Sequence, residues 1–245
     1  MGNGKIKAVF LDMDGTLVHF PDGFHPPRFL QRMLAKLGYP VELVEVERAY
    51  RETEDWENAN LGDFTQWTRE KFVELNRRLL GCLGIGDERV IARLAEQVED
   101  MWERLPEEMG ELLYPEVPEA LRLLRDEGIV LGIVSHRTPS TIRRSVERHG
   151  ISGHFTCFVS PLDAAAPQGK LNLEMWTYAL EEVEAKPHEV VHIGDVYEYD
   201  VVGPRAAGIT PILLNRDGVH DGLDCLTAPD LLAAARLLAG DFHAP

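Results

Sequence analysis

The chain has 245 residues, of which 41 are acidic and 25 basic, so its formal net charge is −16. This length is sufficient for one large domain, or two smaller ones, with a substantial buried core. So acidic a chain lacks the basic footprint of a nucleic-acid-binding protein, and we expect no nucleic-acid partner. Its three cysteines are scattered without C-x-x-C spacing, which argues against both a disulfide framework and a structural zinc site.

The first predicted strand begins at residue 6, which leaves no room for a signal peptide before it. No apolar run approaches the length needed to span a membrane. We therefore expect a cytoplasmic protein with no membrane partner. Nothing in the sequence indicates an oligomeric state.

The apolar run of residues 6–11 ends abruptly in two carboxylates, Asp12 and Asp14, followed by Gly15 and Thr16. Such a run is typical of a central parallel strand, and ligands gather outside the carboxyl ends of these strands. One carboxylate can attack an electrophile while the other handles protons for the leaving group and then for water. The alternative interpretation is a turn whose aspartates cap a following helix.

Residues 19–114 differ from the rest of the chain, because they have helical spacing of apolar residues and few strand signals. Four helices are predicted here, over 26–37, 41–60, 64–80 and 87–105. The segments 19–26 and about 107–115 contain glycine and proline, and we predict that they are hinge strands. The predicted domains are therefore a helical insertion, 19–114, and a core formed by 1–18 and 115–245.

The predicted core alternates strands and helices. The predicted strands are 6–12, 129–135, 155–159, 189–194 and 210–214. The predicted helices are 116–127, 139–149, 172–185, 199–207 and 229–238. This alternation predicts an α/β fold with a parallel, doubly wound sheet.

Two polar residues stand at the ends or starts of these elements. Ser135 ends the second apolar run, 129–135, so its hydroxyl and the adjacent backbone N–H groups could hold phosphoryl oxygens, although a helix cap is the alternative. Lys170 lies just before the helix that Asn172 is predicted to cap, and its alternative is a solvated loop lysine.

The apolar run 190–193 ends in Gly194 and Asp195, with a further acid, Asp200, five residues later. Acidic oxygens here and at Asp12 would meet at one edge of the sheet, and Mg²⁺ prefers such hard carboxylate ligands. We predict Asp12, Asp195 and the backbone carbonyl of Asp14 as metal ligands. Asp200 is then either an outer-shell ligand or the partner of Lys170.

These four segments, in this order over residues 6–214, resemble the four motifs of the haloacid dehalogenase (HAD) superfamily. The inserted helices resemble the helical C1 cap of its phosphoglycolate phosphatase-like branch. The resemblance implies a Rossmann-like core sheet of order 5-4-1-2-3. It also implies roles for the motif residues: Asp12 as nucleophile, Asp14 as general acid/base, Lys170 as the cation that neutralises Asp12 and the phosphoryl group, and Ser135, His136 and Lys170 as substrate-binding residues. The family usually has Asn where His136 stands and Pro where Leu171 stands.

Dehalogenases of this superfamily lack an acid at the position of Asp14, so Asp14 favours phosphoryl transfer. We expect a Mg²⁺-dependent phosphatase that hydrolyses a small-molecule phosphate monoester through an aspartyl phosphate. A phosphomutase acting on a sugar phosphate and a catalytically silent binding protein are the alternatives. Because the net charge repels anions, affinity for phosphate must be local, from Mg²⁺, Lys170, Arg137 and backbone amides.

Overall fold

The computed structural model describes residues 6–21, 26–61, 69–94, 106–107, 109–218 and 222–240. The chain divides into two compact units, one formed by Met1–His19 with Leu112–Pro245 and the other by Phe20–Glu111. No helix among the described residues is both long enough and apolar enough to cross a bilayer. A cytoplasmic location stays a prediction.

The first unit is built on a six-stranded sheet in which every neighbouring pair is parallel. Its strands are β1 (Ala8–Leu11), β4 (Val130–Val134), β5 (Cys157–Val159), β6 (Val190–Gly194), β7 (Thr210–Leu214) and β8 (Leu226–Ala228). They lie in the order β5-β4-β1-β6-β7-β8, with β1 between β4 and β6. Read from β7 to β5, this is the order implied by the resemblance, so the predicted α/β fold class is confirmed. The sixth strand, β8, was not predicted.

The central strand, β1, is buried on both of its faces. Val9 and Leu11 belong to one hydrophobic cluster, together with buried residues of α5 (Val117–Asp126), α6 (Pro139–Arg148) and α9 (Leu231–Ala239). Ala8 and Phe10 belong to a second cluster, with buried residues of α7 (Leu173–Glu182). Since successive side chains of a strand point to opposite faces, β1 must be apolar at every position.

Local capping fixes where two of these helices begin. The Thr138 side chain accepts a hydrogen bond from Thr141 N at the start of α6, and Pro139 follows in the first turn. The Asp230 side chain accepts one from Ala233 N at the start of α9. Thr138 is therefore the helix cap after β4, and the alternative that Ser135 has this role is wrong.

The second unit is helical. It contains α1 (Pro26–Lys36), α2 (Leu43–Leu61), α3 (Arg69–Cys82) and α4, of which residues 88–94 are described. These helices share a hydrophobic cluster that includes Leu34, Val46, Leu80 and Leu94. The predicted start of the third helix, 64–68, and the predicted part of the fourth helix from 95 to 105 lie outside the described residues.

The predicted hinge strands are short in the part of these segments that the structure describes. Among the described residues, strand pairing there is limited to β2 (Val18–His19) and β3 (Leu112–Leu113), which are antiparallel. Pro26 already begins α1, whereas residues 22–25 and 108 of the predicted segments lie outside the described residues. Antiparallel pairing of two residues on each side is enough to bring the two connecting segments together where they leave the first unit.

One predicted helix has a different form. The segment predicted as a helix over 199–207 is a π-helical turn, Tyr197–Val202, followed by a short helix, α8 (Gly203–Ala206). Such π-turns are rare and are frequently found at functional sites. The wider turn carries Asp200, which is buried.

The junction of the π-turn and α8 packs directly on the segment that carries Lys170. A Cβ atom added at Gly203 would lie 2.1 Å from the backbone oxygen of Lys170, closer than real Cβ contacts allow. The same oxygen accepts a hydrogen bond from the Trp176 indole nitrogen at 2.7 Å. The position of Lys170 therefore depends on a glycine 33 residues further along the chain.

Gly203→Ala should lower the free energy of unfolding by about 1–3 kcal/mol, because the methyl group overpacks this junction. Gly153→Ala is the matched control, since a Cβ at Gly153 meets nothing within 4 Å and should change stability by less than about 0.5 kcal/mol. Urea denaturation followed by circular dichroism measures both variants. A loss in Gly203→Ala no greater than that in the control would contradict the packing described here.

Candidate active site

Three strand ends bring the predicted polar residues together. Asp12 directly follows β1, Ser135 follows β4 and Asp195 follows β6. β1 pairs with β4 and β6 in parallel, and Leu11 is in register with both Ile133 and Ile193. Asp12 N donates to Ile193 O at 3.0 Å, so the hydrogen-bond ladder between β1 and β6 extends to the backbone of Asp12. No helix follows Asp14, since residues 15–17 form a turn into β2, so the interpretation of the aspartates as helix caps is wrong.

Lys170 is the cation of the site and is not a solvated loop residue. It is 2% exposed, and its Nζ lies 2.5 Å from Asp12 Oδ1 and 2.7 Å from Asp200 Oδ1. Asp12 is itself 8% exposed. The contact with Asp200 identifies Asp200 as a partner of Lys170, one of the two roles that the sequence left open.

The backbone of Lys170 is held as closely as its side chain. Lys170 lies on a 3-10 turn, Gly169–Leu171, and its N–H donates to Nε2 of His136 at 3.0 Å. Burial and the nearby Lys170 ammonium lower the pKa of His136 to about 3, so the ring is neutral near pH 7 and can accept this hydrogen bond. The structure thus assigns His136 a contact with the Lys170 segment, and its predicted contact with substrate stays a prediction.

Asp200 uses both carboxylate oxygens within the protein. Oδ1 accepts from Lys170 and lies 2.8 Å from Nε2 of the buried His192. Oδ2 accepts from the backbone N–H groups of Asp195 at 3.0 Å and Val196 at 2.9 Å. Although burial alone would raise the pKa of Asp200, Lys170 and the His192 hydrogen bond hold it well below its usual range.

Asp195 differs from Asp200 in having an uncommitted oxygen. Oxygens of Asp12, Asp195 and Asp200 lie within 4.8 Å of one another. Asp195 Oδ1 is buried and has no hydrogen-bond partner among the described residues. A buried polar atom left without a partner costs free energy unless an ion or water satisfies it. Hard carboxylate oxygens placed in this way suit a small divalent cation.

The charges at the site also favour a cation. Burial raises the pKa of Asp12 to about 8, with Lys170 opposing the shift and the carboxylates of Asp200, Asp195 and Asp14 adding to it. Burial, together with Asp200, raises the pKa of Asp195 to about 6. Within this cluster, one ammonium faces three carboxylates. A bound divalent cation would favour the ionised form of Asp12 and Asp195.

Asp14 is held by a residue of the neighbouring strand end. Arg137 donates from Nε to Asp14 Oδ2 at 2.8 Å and from a terminal nitrogen to Asp14 Oδ1 at 2.5 Å. The Arg137 side chain is 10% exposed, whereas that of Asp14 is 50% exposed. Arg137 N also donates to Ser135 Oγ at 3.3 Å. Arg137, in the loop after β4, therefore contacts both Asp14 and Ser135. The sequence indicated Arg137 only as a source of phosphate affinity.

The turn after Asp14 requires glycine. Gly15 has a φ of +70°, and a Cβ atom there would lie 1.9 Å from Asp195 Oδ2. Only glycine meets both requirements at this position, because the backbone is left-handed and the Asp195 side chain occupies the space of a Cβ atom. This contact explains why glycine stands between Asp14 and Thr16.

Sequence reasoning missed several residues that build the site. His192 contacts the carboxylate of Asp200, and the Trp176 indole donates to the carbonyl of Lys170. Arg216 contacts the turn after Asp14. His192 had a usable signal, since it is the one polar residue in the apolar run 190–193. Trp176 had none, because its partner is a backbone carbonyl, and Arg216 had none, because Gly15 lies 201 positions away in the sequence.

Comparisons with known proteins agree with this architecture. The chain is 25% identical over 218 residues to a ribulose-1,5-bisphosphate 5-phosphatase of Halopiger xanaduensis, covering 89% of this chain and 88% of that protein. It is 24% identical over 237 residues to a phosphoglycolate phosphatase of Vibrio parahaemolyticus, covering 95% and 94%. Among solved structures, the putative HAD-hydrolase YfnB of Bacillus subtilis, bound to magnesium, matches with a TM-score of 0.69 and 18% identity over 96% of this chain and 99% of that one.

The last of these matches shows the fold alone, because its sequence identity is low. The family model for haloacid dehalogenase-like hydrolases matches residues 6–208, which includes all four motif segments and most of the chain. The chain therefore belongs to the haloacid dehalogenase-like hydrolase family.

Proposed function

We propose that this protein is a Mg²⁺-dependent phosphatase that hydrolyses a small-molecule phosphate monoester through a phosphorylated Asp12. The observation that carries the proposal is the buried Asp12 carboxylate, paired with Lys170 at a sheet edge where a second acid, Asp14, stands two residues away. The relatives from H. xanaduensis and V. parahaemolyticus, which bear the names of phosphatases, support the same reaction.

In the first step, an oxygen of Asp12 attacks phosphorus, the bond from phosphorus to the ester oxygen breaks, and protonated Asp14 gives its proton to the leaving alkoxide. In the second step, water attacks the aspartyl phosphate while Asp14 takes the proton from that water. Inorganic phosphate leaves, and Asp12 returns to its carboxylate form. Asp14 thus acts as an acid and then as a base.

Arg137 sets a condition on this mechanism. Its guanidinium occupies both oxygens of Asp14, so at least one of these hydrogen bonds must break before Asp14 can reach the ester oxygen. A phosphoryl group is a suitable replacement partner for the guanidinium, because arginine binds phosphate and carboxylate oxygens with the same forked geometry. Substrate binding would then release Asp14 for proton transfer.

The residues present fit a magnesium ion. The unpartnered Asp195 oxygen, Asp12 and the backbone carbonyl of Asp14 would hold it, all of them the hard oxygen donors that Mg²⁺ prefers. When bound, the ion neutralises the carboxylates and the negative charge of the phosphoryl group. Lys170 stays with Asp12 and Asp200, and Ser135 with the neighbouring backbone N–H groups would bind phosphoryl oxygens. The magnesium in the YfnB structure supports this assignment.

Three readouts distinguish the proposal from its alternatives. Release of inorganic phosphate from a generic aryl phosphate supports hydrolysis. Isomerisation of a sugar phosphate without release of phosphate would indicate a mutase, and neither activity would indicate a binding protein. A panel of metabolite phosphates then identifies the substrate.

Asp12→Asn should abolish turnover, because an amide of nearly the same volume cannot attack phosphorus. We expect the rate to fall at least about 1000-fold with the fold intact. The exposed Asp126→Asn, in the same unit, is the matched control and should keep the wild-type rate. Phosphate release and circular dichroism measure both. Substantial residual activity in purified Asp12→Asn would rule out this nucleophile.

Activity should require a divalent metal. Excess chelator should stop turnover, Mg²⁺ should restore it, and Ca²⁺ should not, because its larger and looser coordination misplaces phosphorus for attack. Asp195→Ala should raise the Mg²⁺ concentration needed for half-maximal rate by about tenfold or more. The exposed Glu198→Gln should leave that concentration unchanged. Full activity in excess chelator is incompatible with the proposed metal site.

Asp14→Asn should separate the two chemical steps. With an aryl phosphate, whose phenolate leaves without a proton, Asp12 should still become phosphorylated, but hydrolysis of the intermediate should slow by about 10²–10⁴-fold because no base activates water. Rapid-quench kinetics should show a burst of phenol, and intact-mass measurement should show a gain of one phosphoryl group. Wild-type steady turnover would remove Asp14 from the mechanism.

A further inference from the structure

Arg216 lies two residues after β7 and contacts the turn that follows Asp14. Its Nε donates to Gly15 O at 2.9 Å, and one terminal nitrogen donates to Thr16 O at 3.0 Å. The other terminal nitrogen donates to Glu116 Oε1 at 2.7 Å. All three guanidinium nitrogens are therefore engaged, two of them with backbone carbonyls of this turn.

The guanidinium is also held from one face. Its central carbon lies 3.6 Å from the centre of the Tyr114 ring, and Tyr114 N donates to Leu17 O at 3.1 Å. The side chains of Arg216 and Glu116 are each 17% exposed, so the ion pair is largely shielded from solvent. Tyr114 and Glu116 thus fix Arg216, and Arg216 fixes the turn.

This anchor matters because the Asp14 side chain has little other support. Half of that side chain is exposed, and at least one of the two hydrogen bonds from Arg137 to its oxygens must break for proton transfer under the proposed function. Once released, Asp14 is positioned by its own backbone. The tight approach of Gly15 to Asp195 leaves that backbone little tolerance for displacement.

We propose that Arg216 is a positioning residue that aims Asp14 at the leaving group by clamping the carbonyls of Gly15 and Thr16. The inference rests on the proposed phosphatase function and on the role of Asp14 in it. Lysine could not replace Arg216, because a single ammonium cannot span two carbonyls and Glu116 while stacking on Tyr114.

The test uses a series of para-substituted phenyl phosphates of similar size, which differ in the acidity of the phenol released. For each substrate, kcat/KM reports steps up to departure of the phenol, and protonation by Asp14 makes this quantity insensitive to phenol acidity. Misplacing Asp14 should therefore matter little for nitrophenyl phosphate and increasingly for poorer leaving groups.

We expect Arg216→Met and Arg216→Lys to lose at least about tenfold more kcat/KM on the poorest leaving group than on the best one. This loss is part of the rate enhancement of about 10²–10⁴-fold that a general acid typically contributes. Arg236→Met is the control, since Arg236 belongs to the same unit and its ion pair with Glu119 is exposed. It should follow wild type across the series.

An equal fold-loss on every substrate, or no loss, would overturn the inference, because a purely structural role lowers all rates together. If Arg216→Met does not fold, Tyr114→Leu removes the stacking partner and should steepen the dependence in the same direction. Failure of wild type to release phosphate from any substrate would instead reject the proposed function, and this inference with it.

Discussion

The site depends on one buried ion cluster, in which the Lys170 ammonium lies between the carboxylates of Asp12 and Asp200. Removing a charge from water costs several kcal/mol unless close partners of opposite sign compensate it. Asp200 compensates Lys170 with an oxygen that His192 also contacts, and its other oxygen accepts two backbone N–H groups. Asp200 is therefore committed to structure, which leaves Asp12 and Asp195 for the proposed chemistry and metal binding.

Several distant segments must fold correctly before Lys170 reaches this position. Its carbonyl fits between the Trp176 indole and Gly203, and its N–H reaches His136. The π-turn contributes by bringing the Asp200 carboxylate back towards the end of β6, where it meets the N–H groups of Asp195 and Val196. An irregular backbone segment is stable here because its acid satisfies donors that a regular helix would leave unpaired.

The strand ends could be predicted from the sequence, whereas the contacts between them could not. Apolar runs that end in Asp12, Ser135 and Asp195 predict neighbouring groups, because parallel strands share a carboxyl edge. The β8 strand escaped prediction because its residues, Leu-Thr-Ala, form no apolar run, whereas the equally short β5 has the apolar sequence Cys-Phe-Val. The pairing of Arg137 with Asp14 and of Arg216 with Gly15 joins residues 123 and 201 positions apart, and no local pattern encodes such contacts.

The net negative charge of the chain and the proposed anion-binding role of the site are compatible because the two electrostatic effects act over different distances. At physiological salt, the Debye length is about 8 Å, so exposed carboxylates far from the site are screened. Arg137 and Lys170 are almost completely buried, and charges in such surroundings are screened much less. A phosphate arriving at the sheet edge would therefore respond chiefly to these two cations and to a bound metal, since the net charge of −16 is spread over the whole chain.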